Sequence, residues 1–567
     1  MKKGVTPIRL ISIFIIFAAV IFIGRLYVLQ VFKHNEYVQI ASKQYQKQGG
    51  FFDRGSIYFI DKDNNRISAA TVKSVYTLAI NPKLLVDKVD AYNKINSILP
   101  IDKTDFLAHA SKPNDSYEEI SKLIPTDVGD KIKALNITGV ILADQNTRFY
   151  PGGTEAAHVL GFVAYKGNTL SGRYGLESQY DPVLERTSEN LYANFFVEIF
   201  SNIKSGITTD NNSEGDIVTT IEPNVQSAFE NTLKKVQDQW HSDETSGIII
   251  DPKTGEILAM ASFPNFDPNN FSAEKSVSVF TNPLVQRVRE MGSIIKAVTM
   301  ASGIDAGVVT ASTTYDDKGS VTYDGKTVYN FDKKGRGVIN MQRVLSESLN
   351  TGASFVMSKL GTKRFTDYFT KFGLEEKTGI DLPSEADDLV SNLKSPRTIE
   401  YATASFGQGI ALTPVATARA LSVIANGGML IQPHVVKEID PTEGIAYDPS
   451  AGYKQTRVIS ESASKQTTDM LVNIVDNALQ NGKAKNPHYS IAAKTGTAQM
   501  AAPGGGYYPD RYLHSFFGYF PAYNPRFLVL MYTVYPKGAG YAASTLAQPF
   551  LDLSKFLINY YSIPPDR

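Results

Sequence analysis

A serine followed three residues later by a lysine can do covalent chemistry. On a helix the two side chains share one face, with Cβ atoms about 5–6 Å apart, so the amine can take the hydroxyl proton. The chain carries Ser-x-x-Lys five times, starting at Ser201, Ser272, Ser293, Ser391 and Ser462. Lys-Thr-Gly occurs at Lys253, Lys377 and Lys494, and Ser-x-Asn at Ser188 and Ser348. Spacing alone selects none of these, so context has to. Ser293 follows Gly292 and opens the apolar run Ile294 to Ala301, which predicts a serine N–H at a helix N-terminus, where developing negative charge is stabilised. Lys494 sits in the apolar, Thr-rich run Ile491 to Ala498, which reads as a buried strand, whereas Lys253 falls in a turn and Lys377 precedes a loop. Ser348 and Asn350 fall within the helix-like stretch Met341 to Lys359. Ser293/Lys296, Ser348/Asn350 and Lys494-Thr495-Gly496, in that order, form the specific combination.

Composition narrows the alternatives. The 567-residue chain has no Cys, which excludes thiolate nucleophiles, thiolate metal sites and disulfides. Seven His without metal-ligand spacing leave a metal site little support, and no cofactor is implied. Lys+Arg and Asp+Glu both total 57, with basic residues scattered, so a nucleic-acid partner is not expected.

These groups need elements to hold them. Leu10 to Phe32 is almost wholly apolar and long enough to cross a membrane of roughly 30 Å. Lys2, Lys3 and Arg9 precede it and place the N-terminus inside, so residues 1–9 are expected as a cytoplasmic tail, 10–32 as an uncleaved anchor and the remainder outside. Residues 33–235 read as a mixed support domain, with strand-like runs Val75 to Ile80 and Gly215 to Ile221 and helical periodicity over Pro82 to Ala143, carried by Leu84, Leu85, Val89 and Ile95. Within residues 236–567, Gly247 to Ser262 predicts two strands joined by a turn. Helices near 293–304, 341–359 and 414–426 then alternate with strands near 490–499, 515–520 and 527–535, an α/β or α+β catalytic domain.

The three motifs resemble the penicillin-binding proteins and serine β-lactamases. The chain is similar in particular to class B penicillin-binding proteins, D,D-transpeptidases of peptidoglycan synthesis. Ser405 to Gly428, SFGQGIALTPVATARALSVIANGG, is similar to a long signature of that family. Arg54-Gly55, Arg148-x-Tyr150-Pro151, Ala157-His158-Val-Leu-Gly161 and Gly175-Leu176-Glu177 resemble its non-catalytic pedestal. Met291 stands where the family usually has proline, and Leu349 where a small or polar residue is common.

The resemblance implies Ser293 as nucleophile, Lys296 as general base, Ser348 as proton relay, Asn350 as a substrate-amide contact and Lys494 as a positive charge near the substrate carboxylate. Thr495 and Thr497 would be further donors, Gly496 would let the strand approach the substrate, and the N–H groups of Ser293 and Thr497 would form an oxyanion hole. Arg54, Arg148, His158 and Glu177 are expected in a buried polar network without a catalytic role. The implied partners are D-Ala-D-Ala stem peptides, β-lactams, a SEDS-family glycosyltransferase and other division proteins, since no glycosyltransferase pattern occurs in 33–235. Ser515 to Phe550 looks more like division enzymes than elongation ones. A β-lactamase, a D,D-carboxypeptidase, a β-lactam sensor and an inactive scaffold are the competing readings.

Overall fold

The run Gly247 to Ser262 folds as β1 (Glu244–Ile250) and β2 (Ile257–Phe263), antiparallel, with Ile248 opposite Met260. The computed structural model describes residues 52–112, 115–167, 169–186 and 214–567. In it β3 (Ala492–Ala501), β4 (Tyr507–Phe520) and β5 (Phe527–Val534) complete a sheet of order β3-β4-β5-β1-β2, antiparallel throughout. Among its helices are α1 (Pro223–Trp240), α2 (Lys296–Asp305), α3 (Asn350–Leu360), α4 (Pro414–Ala425), α5 (Glu461–Asn473) and α6 (Ala542–Tyr560).

Alternate residues of a strand face opposite sides of its sheet, and here both sides are covered. Ile249, Phe516, Phe520 and Val529 pack with Phe229 and Leu233 of α1 and with Leu546 and Phe550 of α6. Ile248, Phe517, Leu528 and Leu530 join the core that holds Ile294, Val298 and Leu421. Burial on both faces explains why β5 reads as the unbroken apolar run FLVLMYTV rather than an alternating one. Helices on both faces of an antiparallel sheet match the α/β (α+β) expectation.

The chain divides into two compact units. Of the described residues, one holds 52–53, 72–112 and 115–147, and the other holds 54–71, 148–167, 169–186 and 214–567. The span 33–235, expected as one support domain, is therefore divided between them. Helix α1 also runs through residue 235 and buries Val225, Phe229, Leu233 and Val236 beside the sheet, so the helical support of the sheet starts at Pro223.

In the smaller unit the helical periodicity expected over Pro82 to Ala143 is only part of the pattern. Helices Lys88–Asn96, Lys103–Ala110 and Thr126–Ala134 are interrupted by the strand Glu118–Pro125, which pairs with the strand Arg66–Ile80. Leu85 and Ile95 are buried as expected, while Leu84 and Val89 are exposed. Asp87 and Asp102 cap the first two helices through their side chains, and these local stops break what a continuous apolar periodicity would suggest.

Among the described residues no helix is long and apolar enough to cross a membrane, and the apolar stretch 10–32 lies outside them. Phe550 is fully buried on α6, its ring tilted at 36° to that of Phe516 with centroids 4.7 Å apart, and lies against Gly518. Phe550→Ala should cost about 3–5 kcal/mol of stability, read as a lower thermal midpoint.

Candidate active site

The nucleophile candidate is set by glycine geometry. Gly292 has φ +63°, a left-handed conformation that a side chain would strain, and a Cβ there would lie 3.0 Å from the Thr497 carbonyl oxygen. The chain can therefore turn sharply against β3 and enter the 3₁₀ turn Gly292–Ile295, which runs into α2. The expected helix near 293–304 is thus 3₁₀ in its first turn. Gly407, from the long signature, sits equally close: the Gly292 N–H donates to its carbonyl at 3.2 Å, and a Cβ on Gly407 would collide with the Gly292 carbonyl. Met291, in place of the expected proline, is buried and its carbonyl accepts from the Ser515 hydroxyl at 2.7 Å.

Lys296 is 1% exposed, and among the described residues no carboxylate accompanies it. Its Nζ lies 2.9 Å from Ser293 Oγ, 2.5 Å from the Ser348 carbonyl oxygen and 3.2 Å from Ser348 Oγ. Burial, and then the positive charge of Lys494, drive its pKa well below 10.5. A neutral amine has two protons and one lone pair. The Ser348 carbonyl can only accept, so with the second proton directed to Ser348 Oγ the lone pair is left for the Ser293 hydroxyl.

Ser348 does not lie inside a helix, as the apolar stretch Met341 to Lys359 predicts. One helix ends at Ser346, Ser348 takes φ +57°, Leu349 is extended, and α3 begins at Asn350. Leu349 explains the break, because its side chain is fully buried and its N–H donates to the Val344 carbonyl at 2.9 Å, pinning the turn. The break turns both the carbonyl and the hydroxyl of Ser348 to Lys296. Asn350 Nδ2 donates to the Tyr329 carbonyl at 2.9 Å, so its carbonyl oxygen is the group it can offer to a ligand N–H.

Lys494 lies on β3, the edge strand, buried to 2% exposure and pushed down to about 7 by that burial. Its Nζ donates to Ser348 Oγ at 3.0 Å and to the Thr495 carbonyl at 2.9 Å. The two lysines thus meet at one hydroxyl. Gly496 is required because a Cβ there would lie 2.3 Å from Ser515 Oγ and 2.8 Å from the Met291 carbonyl. Thr495 and Thr497 are half-buried, and Thr497 Oγ1 accepts from the Ala542 N–H at the start of α6, leaving its own proton to donate. Ser293, Ser348, Asn350, Thr495 and Thr497 are partly exposed around two buried amines.

The other motif copies do not assemble. Lys465 of the Ser462 copy pairs with Asp469, Lys253 bonds Asn524 in the β1–β2 turn, and Lys377 pairs with Asp387. Ser201 and Ser188/Asn190 lie outside the described residues. Arg54 and Arg148 each bond Glu177 at 2.6 Å, Tyr150 also reaches Glu177 at 3.1 Å, and His158 is pushed down to about 4 by burial while its ring contacts the Val279 carbonyl. Arg54, Arg148 and Glu177 thus form the expected buried network, whereas His158, expected in it, bonds the Val279 carbonyl instead. Two groups near the lysines were not singled out by sequence: Ser515, and Phe406, whose ring centroid lies 5.9 Å from Lys296 Nζ. Phe406 was within reach, since it lies inside the Ser405 to Gly428 signature.

A nucleophile turn, a Ser-x-Asn turn and an edge-strand Lys-Thr-Gly, meeting around two desolvated lysines, define a serine acyl-transfer site. The chain matches the penicillin binding protein transpeptidase domain over residues 245–553 and the penicillin-binding protein dimerisation domain over 53–192. It is 30% identical to stage V sporulation protein D of Bacillus subtilis, over 88% of this chain and 77% of that protein. It is 28% identical to a probable peptidoglycan D,D-transpeptidase FtsI of Caulobacter vibrioides, over 84% and 75%. In fold it is similar to penicillin binding protein 3 of Mycobacterium tuberculosis complexed with aztreonam, with TM-score 0.68, 24% identity, and 91% and 98% of the two chains covered. The chain belongs to the class B penicillin-binding proteins.

A base of depressed pKa makes a testable pH profile. If Lys296 takes the Ser293 proton it is inert when protonated, so acylation should fall as pH drops through its pKa, and the acid limb should lie well below 10.5. Stopped-flow acylation by a β-lactam across pH checks this.

Proposed function

We propose that the protein is a peptidoglycan D,D-transpeptidase. Ser293 Oγ attacks the carbonyl of the penultimate D-Ala of one stem peptide while its proton passes to Lys296. The C–N bond to the terminal D-Ala breaks, and the leaving amine takes a proton relayed through Ser348 Oγ. An amine of a neighbouring stem then attacks the acyl-Ser293 ester, forms the new amide and releases the serine. The single observation that carries this reading is the buried Lys296 amine 2.9 Å from Ser293 Oγ.

Asn350 would accept from the substrate amide, and Lys494 with the Thr495 and Thr497 hydroxyls would hold the substrate carboxylate. The N–H groups of Ser293 and Thr497 would form the oxyanion hole, with each such donor worth about 2.7–4 kcal/mol in transition-state stabilisation. The close approach of Gly292 to Thr497 supports that pairing. β-Lactams would acylate the same serine. A relative that carries the name peptidoglycan D,D-transpeptidase supports cross-linking over simple hydrolysis, and the relatives named FtsI support a role in division.

The apolar stretch Leu10 to Phe32 with Lys2, Lys3 and Arg9 before it supports a single-pass anchor, tail inside and catalytic domain outside the cytoplasmic membrane. A SEDS-family glycosyltransferase is the partner that would polymerise the sugar chains. Ser293→Ala should abolish labelling by a fluorescent penicillin with no loss of thermal midpoint. The wild-type acyl-enzyme should be long-lived in water and pass its acyl group to an added amine. Rapid hydrolysis with no amine adduct would contradict the transpeptidase reading.

A further inference from the structure

Asn350 is followed by Thr351, and behind Thr351 lies a buried carboxylate with no part in the chemistry described above. Asp317 is 2% exposed at the end of the strand Thr314–Asp317, and Asn330 is 1% exposed just after the strand Lys326–Tyr329. Asp317 accepts from Thr351 Oγ1 at 2.8 Å and from Asn330 Nδ2 at 3.0 Å. Asn330 Oδ1 in turn accepts from the Thr351 backbone N–H at 3.2 Å. That N–H is one of the orphan donors of the first turn of α3, so the pair acts as a cap supplied from distant strands. Tyr329, the residue before Asn330, provides the carbonyl that holds Asn350 Nδ2.

We infer that Asp317 and Asn330 are positioning residues, which fix the start of α3 so that Ser348 keeps its left-handed turn and Asn350 its amide orientation. The inference rests on the assignment of Ser293, Lys296 and Ser348 made above. Ser348 at φ +57° is a strained conformation for a residue with a side chain, and such strain persists only where the surroundings over-determine it. The buried Leu349 holds it from one side, and the Asp317–Asn330–Thr351 cluster holds the next turn from the other. A carboxylate buried this deeply is also costly unless fully bonded, and its further donors, the N–H groups of Gly319 and Arg336, complete that set. A loosened turn would withdraw the Ser348 carbonyl from Lys296 and admit water to a pocket in which Lys494 is the charged group acting on that amine.

The test uses the full chain, with Asp317→Asn, Thr351→Val and Thr351→Ser compared for fluorescent-penicillin acylation across pH and for thermal midpoint. Asp317→Asn and Thr351→Val should each slow acylation about tenfold or more and move the acid limb to higher pH, while Thr351→Ser, which keeps the hydroxyl, should restore both. Should Asp317→Asn fail to fold, the Thr351 pair decides alone. Acylation that stays at the wild-type rate, or that falls only with the folded fraction and leaves the acid limb in place, would overturn the inference. Wild-type protein that takes no label at Ser293 would instead overturn the underlying site assignment.

Discussion

The site depends on an amine buried without an anion. A lysine this deeply enclosed would be expected to hold its charge only beside a carboxylate, and Lys296 has none. Its neighbours are two serines and a second lysine, so burial and the charge of Lys494 both favour the neutral form. A neutral lysine next to a serine hydroxyl could accept its proton. The close glycine contacts at Gly292, Gly407 and Gly496 hold the segments carrying Ser293 and Lys494 against their neighbours, because a Cβ at any of those points would meet the facing backbone.

A second lysine at the same hydroxyl divides the work. Lys494 sits near neutrality when the site is empty, pushed to about 7, and an arriving substrate carboxylate would favour its charged form. Charge on Lys494 would then lower the pKa of Lys296 further. Both amines touch Ser348 Oγ, through which binding of an anion and activation of the nucleophile would be coupled.

The motifs were legible in sequence because each fixes a local geometry: a glycine-opened turn before Ser293, an apolar strand around Lys494, and the polar pair Ser348/Asn350. Strands β1, β2, β3 and β5, the second half of β4 and helices α2 and α4 were legible for the same reason, since their apolar runs match buried elements, whereas the start of β4 from Tyr507 is polar and largely exposed. The break at Ser348 was not, because it depends on where Leu349 lands in the core, which periodicity does not carry. The Asp317–Asn330–Thr351 cluster was equally hidden, as its members lie 13 to 34 residues apart and meet only through the fold. In the smaller unit, strand Glu118–Pro125 was missed because its partner, the strand Arg66–Ile80, is remote in sequence.

The most direct test of this account is the titration of the Lys296 side chain, followed by NMR of its ¹³Cε signal in the folded, unacylated protein, with Lys296→Arg used to assign the resonance. The account predicts a pKa well below 10.5 that rises when Lys494 is replaced by a neutral residue. A Lys296 pKa at about 10.5 in the folded protein would contradict it.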